Sequence, residues 1–324
     1  MFNYDVLCIG SAAIDNFLIA NQDLSRLKLG DKVLVVHQET HSGGGGTNAA
    51  AALSKLGLKV KLLTKLGKDL NSSLVLKELR QFKVKIINTS RSRKATDSST
   101  IISSPQSKDR IIFVHKGASG DLASADLKAS DFKVSWIYLA SLTGKSFKTG
   151  QEIAAYAKAK EIKLLFNPSL YLASLGYKKL KSYLTAAAIL VLNKKEAQTL
   201  ARSKSSGAEL LVKLQRMGPK IVVITDGSKK LYAIDDQTRY SFSPPQVKVV
   251  ETAGAGDAFT SGFLAGLIKN YTFADALRLG QVNALSVIQH IGTKNILLNE
   301  RQARELMKNY KIKITGKNIR LRLL

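Results

Sequence analysis

Short, nearly continuous apolar runs recur along this chain, at Tyr4 to Gly10, Lys59 to Thr64, Ser135 to Ala140, Ile162 to Phe166, Ala188 to Leu192 and Ile221 to Thr225. A strand with one wet face alternates apolar and polar residues, so runs without alternation read as strands covered on both faces. Amphipathic stretches of helical period lie between them, at Ser72 to Phe82, Thr149 to Lys160 and Ala208 to Met217. Strands alternating with helices specify an α/β fold: a doubly wound, mostly parallel sheet flanked by helices and joined by right-handed crossovers. Ligands of such sheets bind beyond the carboxyl ends of the strands, which directs attention to the segments that follow the runs.

Two regions break this rhythm. Residues 16–42 and 93–116 hold alternating segments, Lys32 to His37, Ser99 to Ser104 and Arg110 to His115, with no helix between them. The second region reads as a hairpin turning at Pro105 to Asp109. Together they form a small β-sheet projecting from the main body, able to close over a site as a lid and offering edges through which a homodimer could form. No low-complexity linker splits the chain, so residues 1–310 read as one domain and residues 311–324 as a basic C-terminal tail.

Composition removes several function classes. The 324 residues are 45% hydrophobic, enough for a large core despite a net charge of +26. The single cysteine, Cys8, cannot form an internal disulfide, which fits a reducing, cytoplasmic setting. The N-terminus lacks the basic region of a secretory signal, and runs such as Ala186 to Leu192 are too short to span a bilayer. Most Lys and Arg are scattered over helical surfaces; the acid-free stretch Lys308, Lys311, Lys313, Lys317, Arg320 and Arg322 reads as a frayed basic terminus. His37, His41, His115 and His290 are too dispersed for a zinc site, and the aromatic-plus-basic pattern of an RNA-binding sheet is missing, so no nucleic-acid partner is expected.

Chemistry concentrates in a few segments. In Glu251 to Leu267, ETAGAGDAFTSGFLAGL, a strand at Val247 to Val250 is expected to turn through Gly254 and Gly256 into an apolar helix. The N–H groups of Ala255, Gly256 and Asp257 would then sit at a helix N-terminus, where an anion such as phosphate is favoured. Asp257 either complements the helix dipole or removes a proton from a hydroxyl that attacks a bound phosphoryl group. Phe259 stands where a dinucleotide-binding turn needs its third glycine. In Ser42 to Gly57, four glycines precede an Ala-rich helix that Thr47 or Asn48 could cap and Gly57 could end; this is either a plain loop and helix or a bare backbone approached by a polyhydroxylated ligand. Asn193 and Glu196 follow a strand and make either a capping box or a water-mediated Mg²⁺ site. Leu139 to Ser146, LASLTGKS, ends like a phosphate-binding loop but has Leu139 where the first glycine is required.

Taken together, GGGGTNAAAALSKLG, N-K-K-E and ETAGAGDAF, in this order and spanning roughly Tyr4 to Tyr310, resemble the ribokinase-like (PfkB) carbohydrate kinases. The resemblance implies Mg²⁺- and ATP-dependent transfer of the γ-phosphoryl group to a hydroxymethyl group of a monosaccharide or nucleoside. Asp257 matches the family's base, and Gly254, Ala255 and Gly256 its anion hole. Asp15, with Gly43, Gly44 and Asn48, matches the positions that hold substrate hydroxyls. Asn193 and Glu196 match the phosphate and magnesium motif, Thr225 and Gly227 a nucleotide-contacting turn, and Asn283 and Gly292 the adenine region. Glu251 and Ala253 replace the Asp and Thr found beside a monovalent-cation site in potassium-activated members, which puts potassium dependence in question; Gly45 replaces a lysine of the ribokinases proper, which weakens ribose as the substrate. From other classes, a basic nucleic-acid-binding protein or a metabolite-binding regulator could use the same fold without catalysis.

Overall fold

A computed structural model describes residues 3–87, 90–106 and 109–319. The chain begins with β1 (Tyr4–Ile9), β2 (Ala13–Ala20), β3 (Val35–Gly43), α1 (Gly45–Lys55), β4 (Val60–Leu63), α2 (Leu70–Gln81), β5 (Lys85–Ile86), β6 (Asp97–Ser104) and β7 (Asp109–His115). It continues through β8 (Val134–Ala140), α3 (Ser146–Ala159), β9 (Lys163–Asn167), α4 (Leu170–Ala173), α5 (Gly176–Ala186), β10 (Ile189–Asn193), α6 (Lys194–Ala201), α7 (Gly207–Gln215) and β11 (Ile221–Thr225). The last third contains β12 (Leu231–Ile234), β13 (Thr238–Phe242), α8 (Ala255–Ile268), α9 (Phe273–Val287), α10 (Glu300–Tyr310) and β14 (Thr315–Asn318).

The main sheet runs β14-β13-β12-β11-β10-β9-β8-β1-β4-β5, parallel from β11 to β5 and antiparallel from β11 outward to β14. Successive residues of its central strands enter opposite cores, which is why these runs are continuously apolar. Val6 and Cys8 of β1 pack with α1, α8 and α9 residues such as Leu53, Phe263 and Leu277, while Leu7 and Ile9 pack with Ile153, Tyr183 and Leu211 of α3, α5 and α7. Among the described residues no helix is long and apolar enough to cross a membrane.

Two expectations at the end of the chain are corrected. Val247 to Val250 is not a strand: Pro244 and Pro245 remove ladder donors, Val249 and Val250 are exposed, and Val250 N–H instead donates to Ile288 O at 2.8 Å beyond α9. The terminus is not frayed as far as it is described, because β14 pairs antiparallel with β13, Ile312 is buried and Arg278 Nε donates to Ile312 O at 3.0 Å. Arg320 and Arg322 of that basic stretch lie outside the described residues.

The second sheet runs β3-β2-β6-β7, with β2 parallel to β6 and both outer pairs antiparallel. The strand expected over Lys32 to His37 begins only at Val35 and continues to Gly43, directly into α1. The β6–β7 hairpin is present, although residues 107–108 of its expected turn lie outside the described residues. Because β2 follows β1 after three residues, the chain passes straight from the main sheet into the small one, and the corner between them sits beside the start of α1.

Candidate active site

The turn before α8 is built around Gly254, the helix N-cap, whose φ of 79° lies in the left-handed region. A Cβ there would stand 2.7 Å from Thr293 Cβ, so glycine is required by both conformation and space. The helix ladder opens with Ala258 N–H donating to Gly254 O at 2.9 Å. The amides of Gly256 and Asp257 precede that ladder; the Ala255 amide, the third donor expected here, makes a 3.3 Å turn bond to Thr252 O. The Asp257 carboxyl is pushed up to about 6, chiefly by burial and further by the charge of Asp15, against the opposing influence of an Asn48 hydrogen bond and of Lys294.

Asn48 reaches that carboxylate from α1, its Nδ2 donating to Asp257 Oδ2 at 2.8 Å. The helix starts earlier than expected, at Gly45 with Gly44 as N-cap, so neither Thr47 nor Asn48 is the cap. Thr47 Oγ1 instead donates back to Gly44 O at 2.9 Å, which frees Asn48 to point across to α8. Gly57, at φ 89°, follows the C-cap as the sequence suggests.

Asp15 lies opposite His41 of β3 and Ser99 of β6, and Ser99 Oγ donates to its Oδ1. A Cβ on Gly43 would fall 1.8 Å from Asp15 Oδ2, so the glycine run makes room for this acid. Burial raises the Asp15 carboxyl above its ordinary value; the Ser99 hydrogen bond and the charges of Lys294, Lys116 and His41 oppose the rise.

Lys294, in the loop between α9 and α10, was not singled out by sequence reasoning. It is 2% exposed, and its Nζ donates to Ser42 O, to Asn48 Oδ1 at 3.0 Å and to Thr293 Oγ1 at 3.4 Å, with Glu78 Oε1 at 3.6 Å. The signal available was the lone charged residue of the loop segment Ile291 to Leu298, two positions after Gly292. Ser99 was also missed; its pairing with Asp15 depends on the β2–β6 register, which crosses more than 80 positions of sequence.

A cleft of about 420 Å³ lies beyond the carboxyl ends of β1, β8, β9 and β10; Lys294 is not in its wall and is linked to it through Asn48. Asp15, Gly44, Asn48, Gly254, Gly256 and Asp257 line it, and so do Asn193, Glu196 and Thr225. Asn193 and Glu196 do form the capping box, with Asn193 N–H donating to Glu196 Oε2 at 2.8 Å and Glu196 N–H to Asn193 Oδ1 at 2.9 Å, yet both also face the cleft. Asn283 does not reach it: the residue is fully buried and Nδ2 donates to Ala258 O at 2.8 Å, joining α9 to α8. Gly227 lies at φ 56° in the turn after β11 and Gly292 at φ 93° against His41, both outside the cleft wall. The phosphate-loop look-alike is accounted for by structure: Ser146 opens α3 and donates its hydroxyl to Ser119 O at 2.6 Å.

The residues suit a magnesium ion only of one kind. Burial, reinforced by Asp257, pushes the Glu196 carboxyl up to about 7, a carboxylate whose charge a cation in the cleft would relieve. Among the described residues no group of three or more His, Cys, Asp or Glu could hold an ion. The donor set therefore fits an ion carried by phosphates and water, with Glu196 and Asn193 beside it, and does not fit an all-protein cage.

A family model for the pfkB family carbohydrate kinases matches residues 3–300. The chain is 26% identical over 300 residues to 5-dehydro-2-deoxygluconokinase of Shouchella clausii, covering 88% of this chain and 90% of the relative. Its fold superposes on ribokinase from Thermotoga maritima with a TM-score of 0.81 at 19% identity, covering 94% of this chain and 100% of the other. A nucleoside kinase from Burkholderia thailandensis, solved with inosine, gives a TM-score of 0.75 at 19% identity, covering 94% and 96%.

Proposed function

The chain belongs to the pfkB family of carbohydrate kinases, and from that premise we propose that it transfers the γ-phosphoryl group of ATP to a hydroxymethyl group of a monosaccharide, with Asp257 as the base. It is a phosphotransferase with an alcohol acceptor. The observation that carries the finer reading is the placement of a half-buried, proton-avid carboxylate at the same helix start as two amides that precede the helix ladder, Gly256 and Asp257.

Asp15, held by Ser99, orients the sugar hydroxyls on the small-sheet side of the cleft. Asp257 takes the proton of the attacking hydroxyl as its oxygen bonds to the γ-phosphorus and the bond to the β,γ-bridging oxygen breaks, releasing ADP. The amides at the start of α8 face the charge that develops on the transferred group. Magnesium, when bound, supplies further neutralisation of the phosphates, and Glu196 and Asn193 are the residues that would hold its water shell. Ser99, Ile112 and Lys116 bring the small sheet to the cleft, where it acts as a lid that excludes water and suppresses ATP hydrolysis.

The protein works without potassium on this reading. Glu251 Oε1 already accepts from Thr252 and Ala253 N–H at 2.6 and 3.0 Å and faces the Arg110 guanidinium at 3.4 Å, so its charge is balanced from within the chain. The outer strand of the lid exposes Ile111, Ile112, Phe113 and Val114, and two copies pair through it; light scattering across a dilution series tests that association.

ADP release with Mg²⁺-ATP against pentoses, hexoses, ketosugars, sugar acids and nucleosides, in sodium and in potassium, tests the assignment. Sugar-stimulated release equal in both salts is expected. Turnover on nucleosides alone would move the acceptor to a nucleoside hydroxyl, and release with none of these acceptors would contradict the assignment.

A further inference from the structure

The orientation of the Asn48 carboxamide follows from the groups around it. A lysine ammonium can only donate, so the amide atom 3.0 Å from Lys294 Nζ must be the carbonyl oxygen, and Thr293 Oγ1 donates to the same atom at 2.9 Å. The amide nitrogen is thereby turned to Asp257 Oδ2, 2.8 Å away. Lys294 is itself fixed by the backbone oxygen of Ser42 and by Glu78, whose other oxygen accepts from Ser42 N–H at 2.9 Å. Asp257 lines the cleft, and Asn48 approaches its carboxylate through Oδ2.

We propose that Lys294 is a positioning residue for phosphoryl transfer: its ammonium locks the Asn48 amide so that Nδ2 clamps Asp257 Oδ2, leaving Oδ1 as the atom that receives the hydroxyl proton. The inference rests on the reading of Asp257 as base. An Asn48 amide turned the other way would set its oxygen against the carboxylate, and a neutral residue at 294 would remove the nearby positive charge that favours ionised Asp257. The titratable groups facing this pair are Glu78 of α2, Asp15 of β2, Tyr138 of β8 and Glu196 of α6, with Lys116 and His41 acting on Asp15.

The test compares the pH profiles of kcat/KM, at saturating Mg²⁺-ATP, for the wild-type chain and for Lys294→Met, Lys294→Gln and Lys294→Arg, each checked for folding by circular dichroism. Met and Gln should move the acidic limb up by about one pH unit, so that activity at pH 6 falls about fivefold and recovers at pH 9 with the sugar KM there little changed. Arg, which keeps the charge, should leave the limb near its wild-type position. The glutamine variant keeps a donor for Asn48 and stands in if the methionine does not fold. An unshifted limb in either folded neutral variant, or a loss equal at all pH values, would overturn the proposal. Asp257→Asn, run beside them, separates the two levels: wild-type turnover in that variant removes the base itself, whereas an inactive Asp257→Asn with an unshifted Lys294→Gln removes only the relay.

Discussion

Asn48 in α1 and Asp257 in α8 stand 209 positions apart in the chain and meet through a 2.8 Å hydrogen bond in the wall of the cleft. The bond joins the two glycine-bearing segments into one device. The Ser42 to Gly57 segment supplies the donor and the room around Asp15, while the Glu251 to Leu267 segment supplies the acid and the helix amides.

Asp257 is held at a cost in stability. Its folded-state value of about 6 lies above the ordinary aspartate value of 3.8, so the folded protein binds this proton more tightly than the unfolded chain. Stability from this group is therefore full below about pH 4, is lost as pH rises toward 6, and stays lost above it. Asp257→Asn should raise stability by about 2 kcal/mol at pH 8 and by almost nothing at pH 3.5, measured by urea denaturation at both pH values.

Gly43→Ala should act on the sugar and spare the nucleotide. The added Cβ would fall 1.8 Å from Asp15 Oδ2 and push the carboxylate off Ser99. The sugar KM should rise about tenfold or more, the equivalent of at least about 1.4 kcal/mol, with the ATP KM within about twofold in steady-state assays.

Glu196→Gln should raise the Mg²⁺ concentration needed for half-maximal activity by about tenfold. The variant keeps the capping geometry, because the Gln side-chain oxygen can still accept from Asn193 N–H. A magnesium titration of ADP release reads the shift, and an unchanged midpoint would remove Glu196 from the ion's surroundings.

Truncation after Tyr310 should destabilise the protein without touching the chemistry. It removes β14 from the sheet edge, the buried side chain of Ile312 and the Arg278 bond to Ile312 O, none of which belongs to the cleft lining. A loss of about 2 kcal/mol in thermal or urea unfolding is expected, with sugar and ATP KM values unchanged.

The central strands were legible because burial on both faces leaves an uninterrupted apolar record, as at Tyr4 to Ile9 and Ile189 to Asn193. The antiparallel extension was not. β14 reads Thr-Gly-Lys-Asn, fully exposed at an edge, and carries no pattern that a local reading could detect. Val247 to Val250 shows the reverse failure, a β-branched run with no strand to pair with. In the cleft, Asp15, Asn48, Asp257 and Glu196 were marked by glycine turns and strand ends, whereas Ser99 joins them, and Lys294 reaches Asn48 from behind the lining, only through long-range packing. Asn283 was misplaced because a buried amide that joins two helices and an amide that faces a ligand look alike in sequence.

The most direct test measures sugar-dependent ADP release by the wild-type chain and by Asp257→Asn at saturating Mg²⁺-ATP, with ATP affinity followed in parallel by calorimetry. Loss of about 10²-fold to 10⁴-fold in turnover, with ATP affinity within about twofold, is the predicted result. Wild-type turnover in Asp257→Asn would contradict the assignment of Asp257 as the base.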